Sequence, residues 1–172
     1  MAITSSRRTF LKVGLAGTIV LATAGGVYRA TTGRAPLGKF ALDNEGRAAL
    51  GAIASVVLLR TIPPGTQGVD MAVARTLTAI AGLPLATQKE IQDLFGLLTL
   101  APTRRLLAGI PVRWSQASQE DVTAFLESWR MHRFAMLQSA YHALHDLILG
   151  GWYADESTWA AIGYPGPMKV LS

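Results

Sequence analysis

The chain has 172 residues, half of them hydrophobic and only 16% charged, with a mean hydropathy of +0.30 and a formal net charge of +5. That length suits one domain able to bury a core of its own. Cysteine is absent, which excludes disulfides, thiolate zinc sites, iron–sulfur ligation and covalent c-type haem. Arg7, Arg8 and Lys12 have no acidic neighbour in the N-terminal segment, and without them 13 of the 16 basic side chains face 11 acidic ones, so the high pI is no nucleic-acid footprint.

Residues 1–28 read as a targeting segment. Ser5-Ser6-Arg7-Arg8-Thr9-Phe10-Leu11-Lys12 precedes an uncharged run rich in Gly, Ala and Thr, Val13 to Tyr28. The pattern resembles a twin-arginine export signal, carried by Arg7, Arg8, Phe10, Leu11 and Lys12. Ala22-Thr23-Ala24 offers a small-x-small site for cleavage after Ala24. The alternative is an uncleaved anchor, although the run is shorter than the roughly 20 residues that span a bilayer. Proteins on the twin-arginine route travel folded, commonly with a cofactor in place, yet the chain shows no Gly-x-Gly-x-x-Gly behind a strand, no P-loop and no Cys-x-x-Cys-His. The economical reading is that the signal serves a folded partner that lacks one.

Residues 29–41 read as a Gly- and Pro-containing linker and 42–172 as a helical domain. Asp43-Asn44-Glu45 opens a helix to about Arg60, with Leu50, Ile53, Ala54, Val57 and Leu58 on one face. The dense prolines and glycines from Ile62 to Gly68 end it. A second helix is expected from Val69 to Ala81, closed at Gly82-Leu83-Pro84, and a third from Gln88 to Leu100, capped by Thr87. Pro102 to Gly109 reads as a short helix with exposed Arg104 and Arg105, and Val112 to Ser115 as an extended approach. The longest helical period runs from Gln119 to Leu149, with Ser118 as N-cap and Asp121 three residues on. At 100° per residue, Val122, Phe125, Leu126, Trp129, Met136, Leu137, Ala140, Leu144 and Leu147 share its core stripe. Gly150-Gly151 is expected to stop it. No stretch alternates at period two, so the fold class is all-α, a single-domain bundle of about four to six helices with an irregular aromatic tail.

Arg133 falls about 40° from Trp129 on that long helix, near the centre of the stripe. An unpaired charge there is costly, so it either meets a carboxylate or reaches water or a partner along its stem. His142 and His145 are three apart but turn away from the stripe, and Asp146 is the nearest acid. The carboxylate and Glu-x-x-His pattern of di-iron bundles is missing, so no metal is assigned. His132 stands apart from them. Phe134, Gln138, Tyr141 and His145 cluster on a second face, either buried against the bundle or at an interface, where aromatics with polar tips are favoured. The tail holds Trp152, Tyr153, Trp159, Tyr164, Pro165, Gly166 and Pro167. It either packs on its own bundle or docks on a larger subunit. No serine sits in a Gly-x-Ser-x-Gly elbow and no acid–base pair stands out, so no catalytic residue is assigned.

Taken together, Arg7-Arg8-Thr9-Phe10-Leu11-Lys12, Leu42-Asp43-Asn44-Glu45, Pro63-Pro64-Gly65, Ala140-Tyr141-His142-Ala143-Leu144, Gly151-Trp152-Tyr153-Ala154-Asp155 and the run Trp159 to Pro167 resemble a known family. These are the gluconate 2-dehydrogenase subunit 3-like proteins, small subunits of bacterial FAD-dependent dehydrogenases of the glucose–methanol–choline oxidoreductase type. The resemblance implies a non-catalytic, periplasmic subunit without a cofactor of its own, needed for the folding, stability or co-export of its flavoprotein. FAD, the catalytic histidine and a pocket for an alcohol or sugar would lie on that partner, with a quinone or cytochrome as acceptor. The expected partners are thus the flavin-dependent large subunit and the twin-arginine translocase, met through Arg133, Phe134, Tyr141, His145, Trp152, Tyr153, Trp159, Tyr164, Pro165 and Pro167. The rival expectations are an uncleaved membrane tether for the same partner and an independent ligand- or metal-binding helical domain with His142 and His145 as its handle.

Overall fold

The computed structural model describes residues 40–63 and 65–166. The export signal with Arg7, Arg8, Phe10, Leu11 and Lys12, nearly all of the linker, and Pro167 lie outside the described residues. Within them the structure is all-α: α1 (Asn44–Val57), α2 (Thr66–Ala81), α3 (Leu85–Thr99), the short α4 (Ala101–Thr103), α5 (Gln119–Arg130) and α6 (Ala135–Tyr153). A π-helical turn, Arg104–Ala108, extends α4, and 3-10 turns occupy Trp114–Gln116 and Glu156–Ile162. No helix among the described residues is long and apolar enough to cross a membrane.

Helix α1 begins where Asp43 accepts a hydrogen bond from Gly46 N at 2.7 Å. It is the central element, in contact with α2, α3, α5 and α6. Of the face that the spacing predicts, Leu50, Ile53, Ala54 and Leu58 are buried and Val57 is half-buried, and Ala49 joins them in the core. Helix α2 starts earlier than expected, at Thr66, because Gly65 with φ 93° turns the chain straight into it. Helix α3 starts at Leu85 rather than after Thr87. Pro84 sets the entry backbone, and Gln88, in the first turn, donates to Leu83 O at 2.8 Å and Ala81 O at 3.2 Å, tying the two helices.

Arg104 corrects the sequence reading. It is buried rather than exposed, and its guanidinium donates to Glu45 Oε1 at 3.1 Å while Nε reaches Ile110 O at 3.3 Å. Glu45 Oε1 also accepts Trp114 N at 3.0 Å, so one carboxylate holds the π-turn and the 3-10 turn against α1. Beside it an aromatic column forms. Trp114 meets Phe125 edge-on at 5.7 Å and Phe125 meets Trp129 at 4.7 Å. Both indoles are satisfied, Trp114 Nε1 by Leu98 O and Trp129 Nε1 by Leu107 O, each at 2.8 Å.

The expected long helix is two helices. Ser118 and Asp121 make a reciprocal capping box at the start of α5, but the chain breaks at Met131–Phe134. Helix α5 buries Val122, Phe125, Leu126 and Trp129, whereas α6 buries Leu144, Ile148, Gly151 and Trp152. On one continuous helix these sets would differ in phase by roughly 75°, and Arg133 would point into the core. The break removes both conflicts and leaves Arg133 exposed. It is closed by Phe134 N donating to His132 Nδ1 at 3.1 Å and Gln138 Nε2 donating to His132 O at 2.7 Å. At the other end, α6 runs through Gly150-Gly151 instead of stopping there. A Cβ on Gly151 would lie 3.1 Å from Thr76 Cα, so that glycine lets the α2 and α6 backbones touch.

Candidate interaction surfaces

The aromatic tail is fastened to the bundle at one ionic point. Arg75, on α2, pairs with Asp155 and lays its guanidinium over the Trp152 ring, 4.5 Å from the centroid. Asp155 in turn accepts Ser157 N at 2.9 Å and caps the 3-10 turn Glu156–Ile162. Hydrogen bonds from the Ser157 side chain and backbone, reinforced by Arg75, hold the Asp155 carboxyl below its ordinary pKa. Trp152 is buried, so this expected interface residue supports the tail from within.

Beyond that point the tail is half exposed. Tyr153 and Trp159 are half-buried, and Trp159 Nε1 donates to Tyr153 O at 2.8 Å. Tyr164 sits edge-on to Trp159 at 5.2 Å. Gly166, at φ 91°, brings the chain over the indole, where its Cβ would be 3.3 Å from the ring. Ile162, Tyr164 and Pro165 face solvent. The chain therefore carries the tail on its own bundle while leaving an aromatic, Pro-Gly edge outward.

On α6, Tyr141 stacks on His145 at 5.7 Å and meets His142 edge-on at 5.2 Å. His145 Nδ1 lies 3.4 Å from Asp146. Tyr141 and His145 line an open cavity of about 210 Å³ with Val56, Val57, Thr123, Leu126, Glu127 and Arg130. Its lining joins aliphatic Val56, Val57 and Leu126 to polar Thr123, Glu127 and Arg130. Among the described residues no three His, Asp or Glu side chains gather as metal ligands. Phe134 departs from the expected face. It flanks the N-terminus of α6 in extended backbone, 54% exposed, with the Arg133 guanidinium 4.8 Å above its ring.

The structure therefore separates the predicted residues into three places: the tail edge with Tyr153, Trp159, Tyr164 and Pro165, the cavity with Tyr141 and His145, and the α5–α6 corner with Arg133 and Phe134. Arg75 and Glu45, which position the tail and the aromatic column, were not singled out in the sequence, because each acts on a residue dozens of positions away. Compared with family models, curated proteins and solved structures, the chain matches none.

Proposed function

We propose that this chain is a non-catalytic small subunit of a flavin-dependent dehydrogenase, binding the catalytic subunit, supporting its folding and stability, and sharing the twin-arginine signal for export of the folded complex to the periplasm. The observation that carries the reading is the tail edge. Trp159 and Tyr164 are held in fixed geometry by Tyr153 O and Gly166 yet keep an apolar edge outward, the character of an interface anchor rather than a core. The cavity beneath Tyr141 and His145 gives the same partner a place for one inserted side chain. The N-terminal pattern around Arg7 and Arg8 supplies the reason for transport as a pair.

The test is purification of the chain, tagged at Ser172, from its native host. A stoichiometric larger protein with a flavin spectrum is expected, and Arg7→Lys with Arg8→Lys should leave both proteins in the cytoplasm. A colourless, stable, monodisperse chain removes the subunit reading, and normal export of the flavoprotein alongside the double variant removes shared transport.

A further inference from the structure

Charge is unevenly spread over the domain. From Phe40 to Gly166 there are nine basic and eleven acidic residues, yet Asp93 to Glu120 and Glu127 to Asp146 enclose two stretches with no acid at all. Those stretches carry Arg105, Arg113 and Arg133, all exposed, whereas Arg130, exposed as well, lines the Tyr141 cavity beside Glu127. They meet in space. Trp129 Nε1 donates to Leu107 O at 2.8 Å, joining the end of α5 to the π-turn, and Arg105 Nε reaches Pro111 O at 3.4 Å, joining that turn to the approach to Trp114. The same corner exposes large apolar side chains: Leu106 at 83%, Met131 at 76% and Phe134 at 54%. They are carried on the π-turn and the α5–α6 turn, both fixed from below. Buried Arg104 pins the π-turn to Glu45, and His132, its ring 5.1 Å from that of Phe134, closes the other.

We propose that this corner seats the protein peripherally on an anionic phospholipid surface. Arg105, Arg113 and Arg133 meet phosphate headgroups, for which the guanidinium fork is suited, while Leu106, Met131 and Phe134 enter the boundary between headgroups and acyl chains. Exposed apolar side chains interleaved with arginines on two turns match that layered medium. A protein interface of the usual kind instead gathers its apolar groups at the centre and its charges at the rim. This goes beyond the subunit reading and does not depend on it.

Flotation of the full chain with vesicles tests the proposal, using phosphatidylcholine alone and phosphatidylcholine with about a third phosphatidylglycerol. One variant combines Arg105→Glu, Arg113→Glu and Arg133→Glu, and another Leu106→Ser, Met131→Ser and Phe134→Ser. All keep the same N-terminal segment, so its own lipid affinity cancels. The wild type is expected to prefer the anionic vesicles, and each variant to partition at least about tenfold less with an unchanged thermal midpoint. Should the triple arginine variant lose its midpoint, Arg113→Gln with Arg133→Gln makes the same comparison, with a smaller loss expected. Equal wild-type partition onto both vesicles, or variants that bind like the wild type, overturns the proposal. Variants that release the flavoprotein but keep their vesicle binding assign the corner to a protein partner and overturn it too.

Discussion

The chain builds two aromatic clusters by the same device and uses them oppositely. In the column Trp114–Phe125–Trp129 and in the tail pair Trp159–Tyr164, rings meet edge-on at 4.7 to 5.7 Å and each indole N–H donates to a backbone carbonyl at 2.8 Å. The column is 1% exposed at each residue, whereas Tyr164 is 46% exposed. What differs is the scaffold. The column lies between α1, α3 and α5, so water is excluded from every side, while the tail is a single layer fastened at Arg75. Hydrogen-bonded indoles and edge-on rings thus fix geometry in both places, but only enclosure by helices turns that geometry into a core.

The comparison breaks most sharply on truncation. Trp129→Ala should destabilise the fold by about 4 kcal/mol, through a large cavity and an unpaired Leu107 carbonyl. Trp159→Ala should lose only about 1 kcal/mol while weakening recovery of the flavoprotein partner. Thermal unfolding and co-purification of the two variants separate the roles; similar losses of stability would mean that the tail is core. Next in size is Arg104→Ala, which takes the guanidinium from Glu45, leaves its carboxylate to the Trp114 amide and should cost about 3 kcal/mol, measured by denaturant titration. Arg105→Ala, one residue on and exposed, should fall within about 0.5 kcal/mol of the wild type.

Local signals were legible where they were self-contained. The Asp43 and Ser118 caps and the α1 stripe follow from spacing alone, and so does the all-α class. The α5–α6 break was written less plainly. Arg133 in the apolar stripe was the conflict that marked it, but Ile148 and Trp152, which set the rotated phase of α6, fall outside a stripe drawn from Trp129. Gly151 reads as a stop signal in sequence, and only the arrival of Thr76 from α2 makes it a contact glycine. Arg104 and Arg105 are indistinguishable by type and neighbourhood; Glu45, 59 residues from Arg104, decides which of them goes inside. The tail's composition marked it as ordered, while its division into buried Trp152 and outward Tyr164 depends on Arg75 in another helix.

The smallest expected effect concerns the fastening itself. Asp155 has a folded pKa below its unfolded one, because the charged form takes the Ser157 hydrogen bonds and faces Arg75. A depressed carboxylate contributes stability that is complete above the unfolded pKa, diminishes as pH falls through the ordinary aspartate range, and is gone below the folded value. Asp155→Asn should therefore unfold at a slightly lower temperature than the wild type at neutral pH, with the gap closing in acid. Because the Trp129 column contains no titrating group of its own, Trp129→Ala should keep its deficit at both ends of the range. Thermal midpoints of the three proteins from neutral to acidic pH resolve the point. A gap for Asp155→Asn that persists in acid would mean that the tail is held by the packing of Trp152 under Arg75, with the carboxylate contributing only its shape.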